Sequence, residues 1–226
     1  MFDIFLQIDS TAIVMVAEGA KSESLWTLLM KGGPVMVPLI ALFGAVVYFF
    51  IERLMVIRKA SLMEDQFMTQ IRSFILQGDL AGAKTYAKNS HHPIARMIDK
   101  GLQRVGKPID SIEKSMDNVG KLEMYQLEKN LTILSVAARI APLFGFVGTI
   151  IGLVMLLKEF ATISNPSISQ IADAMYVKLI TSATGLITGM IAFMGHSYLD
   201  TQINRLANKM EAASNEFIDM LQEPVK

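Results

Sequence analysis

The chain has no cysteine. That excludes disulfides, thiolate metal sites and cysteine nucleophiles. It also lacks an excess of either charge: 21 basic residues stand against 21 acidic ones. A balance of this kind does not suit a nucleic-acid partner. There is no Gly-x-Ser-x-Gly, no His-Glu-x-x-His and no phosphate-loop motif, so the common hydrolytic and nucleotide chemistries have nowhere to sit. Ser197 follows His196 directly, and adjacent helical positions point apart, so the two do not form a dyad. His91-His92 reads as a loop pair rather than a metal site. The remaining acid clusters, Glu64-Asp65, Glu123 and Glu128, fall in polar stretches where a solvated face is expected. Neither an enzyme nor a bound cofactor or metal is expected. The N-terminus lacks a basic leader, since its first charges are Asp3 and Asp9, and a cleaved signal peptide is not expected.

What the chain has in quantity is apolar residues. They make up 52% of its 226 positions, with a mean hydropathy of +0.40, and they are gathered in blocks. The central block, 140–157 (IAPLFGFVGTIIGLVMLL), carries no charge over eighteen positions. That is enough to cross the hydrocarbon part of a bilayer as a helix. Two more uncharged runs flank it in sequence, 34–51 and 179–195. Trp26 precedes the first where an interfacial aromatic is expected, and Gly32-Gly33-Pro34 suits a turn into it. The N-terminal segment reads either as a short helix at the membrane surface or as a loosely ordered tail.

Between the first two spans, 58–130 is polar and reads as short helices. Ile71, Phe74 and Ile75 follow helical spacing. Gly78-Asp79 reads as a stop and a new N-cap. A helix follows from Leu80 to Lys88, broken by His92-Pro93, and another from Ile94 to Arg104, closed by Gly106. A long helix opens at Pro108-Ile109-Asp110, with Glu113 placed as in a capping box. No glycine or proline interrupts 121–141, so this helix is expected to run straight into the central span. Asn165-Pro166 marks a turn. After Asp200, the residues Ile203, Leu206, Met210, Phe217 and Leu221 keep helical spacing to Pro224.

The segment 52–130 holds thirteen of the 21 basic residues, so positive-inside reasoning places it in the cytoplasm. The resulting layout is a periplasmic segment 1–33, a first span 34–57 and a cytoplasmic helical domain 58–130. A second span with its cytoplasmic extension follows at 131–158. A periplasmic hairpin 159–168, a third span 169–198 and a cytoplasmic C-terminal helix 199–226 complete it. The expected fold class is all-α, an integral membrane protein with three transmembrane helices, long helices reaching into the cytoplasm and assembly as a homo-oligomer.

The spans are not featureless. Gly145, Gly148 and Gly152 recur at spacings of three and four, with Thr149 beside them. They form a narrow face that admits another helix. In the third span, Lys178, Ser182, Gly185 and Gly189 share a face, and Thr181, Thr184 and Thr188 lie mostly to one side of it. Two readings stay open. Hydroxyls can bond back to their own backbone and small residues can simply pack, or the hydroxyl faces line one polar path. The uncharged runs contain no Asp, Glu or His. Arg139 and Lys178 stand at their edges, able to reach an interface or a wet cavity. The chain can therefore offer hydroxyls to a moving proton but no intramembrane acid to hold it, and a partner would have to supply one.

Ala141-Pro142-Leu143-Phe144-Gly145-Phe146-Val147-Gly148-Thr149-Ile150-Ile151-Gly152 resembles the APLLGLLGTVIG signature of the MotA/TolQ/ExbB proton-channel family. Ser182-Ala183-Thr184-Gly185-Leu186 resembles that family's T-x-x-G-L signature. Three spans and a cytoplasmic domain between the first two resemble the ExbB/TolQ branch. The resemblance implies a pentamer around the single-span helices of an ExbD- or TolR-like partner bearing an intramembrane Asp. It also implies a TonB-like protein spanning the periplasm and a bacterial inner-membrane location. The function it implies is the coupling of the proton gradient to outer-membrane transport, with a TolQ-like role in envelope integrity, or a non-conducting scaffold, as the alternatives. By position, Thr149 matches the family's central-span pore threonine, Ser182 its third-span threonine, and Pro142 the proline near the start of the central span. Many members carry a glutamate where this chain has Val177.

Overall fold

The computed structural model describes residues 35–61, 66–162 and 168–222. Expectations for the N-terminal segment, Trp26, the Gly32-Gly33-Pro34 turn, Glu64-Asp65 and Asn165-Pro166 lie outside these residues. Seven helices make up the described chain: α1 (Met36–Ser61), α2 (Phe67–Leu76), α3 (Leu80–Asn89), α4 (Pro93–Leu102), α5 (Ile109–Glu128), α6 (Leu131–Phe160) and α7 (Ile168–Gln222). Stretches of α1, α6 and α7 are long and apolar enough to cross a membrane: Met36–Ser61, Leu131–Lys158 and Lys178–Gln222. Large apolar side chains point outward along them, among them Val37, Leu143, Phe146, Val154, Leu179 and Phe193, each about 60% exposed or more. In water such a surface would be untenable, and in hydrocarbon it is the ordinary state of a span.

The chain divides into two compact units. One comprises residues up to Ala41 together with Ala141–Thr188, and the other Leu42–Ile140 with Gly189–Lys226. The second unit holds the extended apolar core. Phe67 and Ile71 of α2, Ile94, Ile98 and Leu102 of α4, and Met116 of α5 are fully buried there. The C-terminal part of α7 closes it with Leu199, Ile203, Leu206, Met210, Ala213, Phe217 and Met220, all buried. Their alternating spacing of four and three is the stripe by which one helix face meets a packed neighbour. Gly101 sits under this stripe. A Cβ there would stand 2.6 Å from Met116 Sδ and 2.7 Å from Phe217 Cε1, so any side chain at that point would force those two to repack.

The helix boundaries in 58–130 follow local chemistry. Gly78 ends α2 with φ +72°, a conformation that glycine adopts without strain. Asp79 then caps α3, its Oδ1 accepting from Gly82 N at 2.8 Å. His92 caps α4 through Nδ1, which accepts from Ala95 N at 3.1 Å, with Pro93 at the first helical position. The His92 ring also meets Phe67 edge-on at 4.6 Å. The helix read as Ile94 to Arg104 stops at Leu102, and 103–106 forms a turn ending on Gly106 at φ +95°. The capping box does not form. Pro108 is the N-cap of α5 without a side-chain bond, and Asp110 already lies in the first turn.

A larger departure is at 129–130. The helix does not run unbroken into the central span: α5 stops at Glu128 and α6 starts at Leu131. Lys129 takes ψ 136° and Asn130 takes φ 66°. Asparagine is among the few side chains that tolerate this left-handed conformation, and so it breaks the helix where no glycine or proline stands. Its Nδ2 also donates to Glu52 Oε2 at 3.4 Å. Asn130→Val is expected to destabilise the fold by about 1–2 kcal/mol, the penalty for a β-carbon-branched residue at positive φ. Asn130→Gly should be nearly neutral. Thermal unfolding of both variants in detergent checks the pair.

Candidate functional site

The hydroxyl and glycine residues singled out in the sequence lie on α6 and α7, mostly within the first compact unit. There α6 and α7 meet backbone to backbone. A Cβ on Gly145 would stand 3.0 Å from Ser182 O and 3.2 Å from Gly185 Cα. One on Gly185 would stand 2.7 Å from Ala141 O and 2.8 Å from Gly145 Cα. At Gly185 a side chain would force backbone to shift, and at Gly145 the facing backbone would have to give by a few tenths of an ångström. A Cβ on Gly148 would meet Thr181 Cγ2 at 2.8 Å and Val35 Cγ1 at 3.2 Å. Further along, the aliphatic stem of Lys178 lies directly over Gly152, in space that any side chain at 152 would need. The glycine face of the central span is thus occupied by the chain's own third span.

The face that α7 turns to this contact carries Lys178, Ser182 and Gly185, which share a face by spacing, and Thr181 beside them. Thr181 is 1% exposed and Thr188 2%, whereas Ser182 and Thr184 keep partial exposure. Gly185 and Gly189 are buried, and Pro142 is half-buried. Thr181 meets α6 through its side chain at Gly148, whereas Ser182 meets it through its backbone at Gly145. Among the candidate path residues, those with hydroxyl-bearing side chains still reaching a surface of the chain are Thr149, Ser182 and Thr184. Thr149 Oγ1 donates to Phe146 O at 2.6 Å, and Thr184 Oγ1 donates to Ile180 O at 2.9 Å. Each hydroxyl proton is committed to the helix, which leaves the oxygen lone pairs free to accept from a visiting donor.

Thr149 and Lys178 also line a common cleft of about 130 Å³, with Leu153, Leu156, Met175 and Leu179 as the rest of its wall. The structure therefore brings the one cation at the start of the third uncharged run to the threonine of the central span. Spacing along the sequence gives no sign of that neighbourhood. Arg139, in the second unit, is folded onto its own helix, its Nε donating to Ser135 O at 3.2 Å and Nη2 to Ser135 Oγ at 3.1 Å.

Residues 89–212, more than half of the chain, match the MotA/TolQ/ExbB proton channel family. The chain belongs to that family. It is a multi-pass membrane protein of the ExbB kind, and the family is one of channels, not of enzymes. A biopolymer transport protein ExbB homologue of Methanothermobacter thermautotrophicus is 26% identical over 187 residues, 81% of this chain and 66% of that protein. The biopolymer transport protein exbB1 of Vibrio cholerae is 30% identical over 94 residues, 41% of each chain. A biopolymer transport protein ExbB-like 1 of Synechocystis is 24% identical over 172 residues, 73% of this chain and 66% of that one. The matches span just under two thirds of the length of the two longer-matching relatives.

Two features of this family member escaped the reading of its sequence. Glu123 is not on a solvated face: it is 7% exposed and paired with Arg96 across from α4. Arg53, at the far end of the first apolar run, is 6% exposed. Its Nη2 donates to Glu52 at 2.6 Å and its Nη1 to the Gln126 carbonyl at 3.2 Å. In the sequence Arg53 marks the end of the first apolar run together with Glu52, Arg58 and Lys59, and only the position of α5 in the fold reveals that it is enclosed.

Proposed function

We propose that this chain is the channel subunit of an energy-transducing complex in a bacterial inner membrane, carrying protons past Thr149, Ser182 and Thr184. The observation that carries the reading is an inventory: the second and third spans supply partly exposed hydroxyls whose oxygens can accept, and the uncharged runs of all three spans contain no Asp, Glu or His. A proton crossing hydrocarbon needs an acid to carry it. The acid then belongs to a second subunit, a single-span protein of ExbD or TolR type with an intramembrane carboxyl group. A pentamer of this chain around such helices, with its N-terminus periplasmic, completes the proposal. The motion is passed to a TonB-like protein that spans the periplasm. Each elementary charge moved is worth about 2.3 kcal/mol per 100 mV, so repeated crossings can drive mechanical work. The relatives' names favour biopolymer transport over a TolQ-like role in envelope integrity.

A scaffold without conduction draws less support, because the glycine face it would offer to other subunits is taken up by the chain's own α7. Lys178 in the cleft with Thr149 is compatible with a carboxylate-bearing helix approaching that side. The test is proton uptake into liposomes driven by a potassium diffusion potential. Uptake is expected only when this chain is reconstituted with the single-span protein that co-purifies with it. A complex that assembles and yet passes no protons under any applied gradient would remove the channel reading and leave the scaffold.

A further inference from the structure

A second cavity, of about 880 Å³, opens within the other compact unit, where α1 leaves its apolar run. Four cations line it: Arg53, Lys59, Arg96 and Lys129. The lining holds one carboxylate, Glu123, and Arg96 is already paired with it. Glu52 bonds Arg53 through Nη2, which still leaves a positive surplus in Lys59 and Lys129. Arg53 itself is poorly satisfied for a residue so enclosed. Of its five N–H donors, one reaches Glu52 and one Gln126, and Nε is buried with no hydrogen-bond partner among the described residues. A buried guanidinium with donors to spare is a costly arrangement unless an acceptor completes it.

The surroundings say which acceptor. In sequence, Arg53 stands two residues and Lys59 eight residues after the uncharged run 34–51, and Lys129 stands two residues before the apolar helix α6. The α1 wall of the cavity therefore lies just past the end of one apolar run, and Lys129 just before an apolar helix, while α4 and α5 supply most of the rest of the lining. The rim is apolar and exposed: Val56 at 39%, Leu122 at 63% and Tyr125 at 72%. Such a rim gives nothing to a small hydrated anion, but it can cover the upper part of an acyl chain, with Tyr125 at the interface that aromatic residues favour. Basic pockets between transmembrane helices on the polar side of a bilayer suit phosphate-bearing lipid headgroups.

We propose that this cavity is a binding site for an anionic glycerophospholipid, its phosphate held by Lys59, Lys129 and the spare donors of Arg53, its first methylenes against Val56 and Leu122. The lipid joins the end of α1 to the α5–α6 turn at Asn130. It thereby stiffens the point where two spans enter the membrane.

The full chain, purified in detergent and offered equal amounts of phosphatidylglycerol and phosphatidylcholine, is read by native mass spectrometry. Wild type is expected to retain phosphatidylglycerol in preference by about tenfold, since each Lys or Arg near an anionic headgroup is worth on the order of 1 kcal/mol. Lys59→Gln/Lys129→Gln should bring the two lipids near parity, whereas the exposed pair on α3, Lys84→Gln/Lys88→Gln, should keep the wild-type preference. Both pairs are on the surface, and unchanged thermal unfolding confirms that each variant is folded. A cavity variant that retains phosphatidylglycerol as wild type does would overturn the proposal. Displacement of the lipid by excess inorganic phosphate would do the same, because the ligand would then be a free anion. So would zero-length cross-links from Lys59 or Lys129 to a carboxylate of a second copy, which would show the cavity filled by protein.

Discussion

Thr149→Val is expected to lower proton uptake through the reconstituted complex by about two orders of magnitude, the scale that one positioned proton-transfer group contributes. Assembly should be unaffected. Valine matches threonine in shape, and the bond lost, from Oγ1 to Phe146 O, is made to a carbonyl within a helix and adds little to stability. What disappears is an oxygen with lone pairs facing a surface of the chain in a stretch that has no other polar group nearby on α6. Thr149→Ser keeps the oxygen and should retain most of the flux. Thr181→Val supplies the contrast: its side chain is 1% exposed and lies against Gly148, so its replacement should act on packing and stability before it acts on conduction. Full flux in Thr149→Val, measured with pyranine-loaded liposomes, would remove Thr149 from the path.

Gly185→Val is expected to be the most damaging substitution for stability. Even an alanine Cβ there would stand 2.7 Å from Ala141 O and 2.8 Å from Gly145 Cα. Both are backbone atoms, so no side chain can swing aside, and α6 and α7 must separate. Overpacking of this kind costs about 1–3 kcal/mol and can exceed that where the obstacle is rigid. Gly145→Val meets Ser182 O at 3.0 Å and Gly185 Cα at 3.2 Å, a looser fit that should cost less, while the double variant should fall short of the sum, because the two act on one contact. Gly44→Ala is the control. A Cβ at 44 meets nothing within 4 Å, and alanine is favoured over glycine in a helix by about 1 kcal/mol. Thermal unfolding in a single detergent should rank Gly44→Ala at or above wild type and the two valine variants well below it. A Gly185→Val protein as stable as wild type would mean that the α6–α7 contact is not made.

Several features were open to view in the residues themselves. Three uncharged runs of sufficient length can only be satisfied as helices in lipid, since every backbone group must be bonded within its own segment. The boundaries at Gly78, His92-Pro93 and Gly106 were visible because glycine reaches positive φ at little cost and proline fixes φ and removes a donor, so both mark helix ends locally. The turn at 129–130 was not, because Asn130 tolerates positive φ without demanding it, and the fold decides whether that tolerance is used. The enclosure of Glu123 and Arg53 was hidden for a related reason. A charged residue on an amphipathic helix reads as solvated until the element covering it is known.

The sequence by itself determined the membrane class, the number of spans, the hydroxyl inventory and the lack of an acid within the uncharged runs, because these depend only on composition along a segment and its length. The tertiary structure alone decided that the glycine face of α6 receives α7, that Thr181 and Thr188 are buried while Ser182 and Thr184 are not, and that Lys178 comes beside Thr149. Those facts depend on the rotation of one helix against another. That rotation is set by whichever pairing brings the backbones closest, a property of two surfaces that neither helix carries alone.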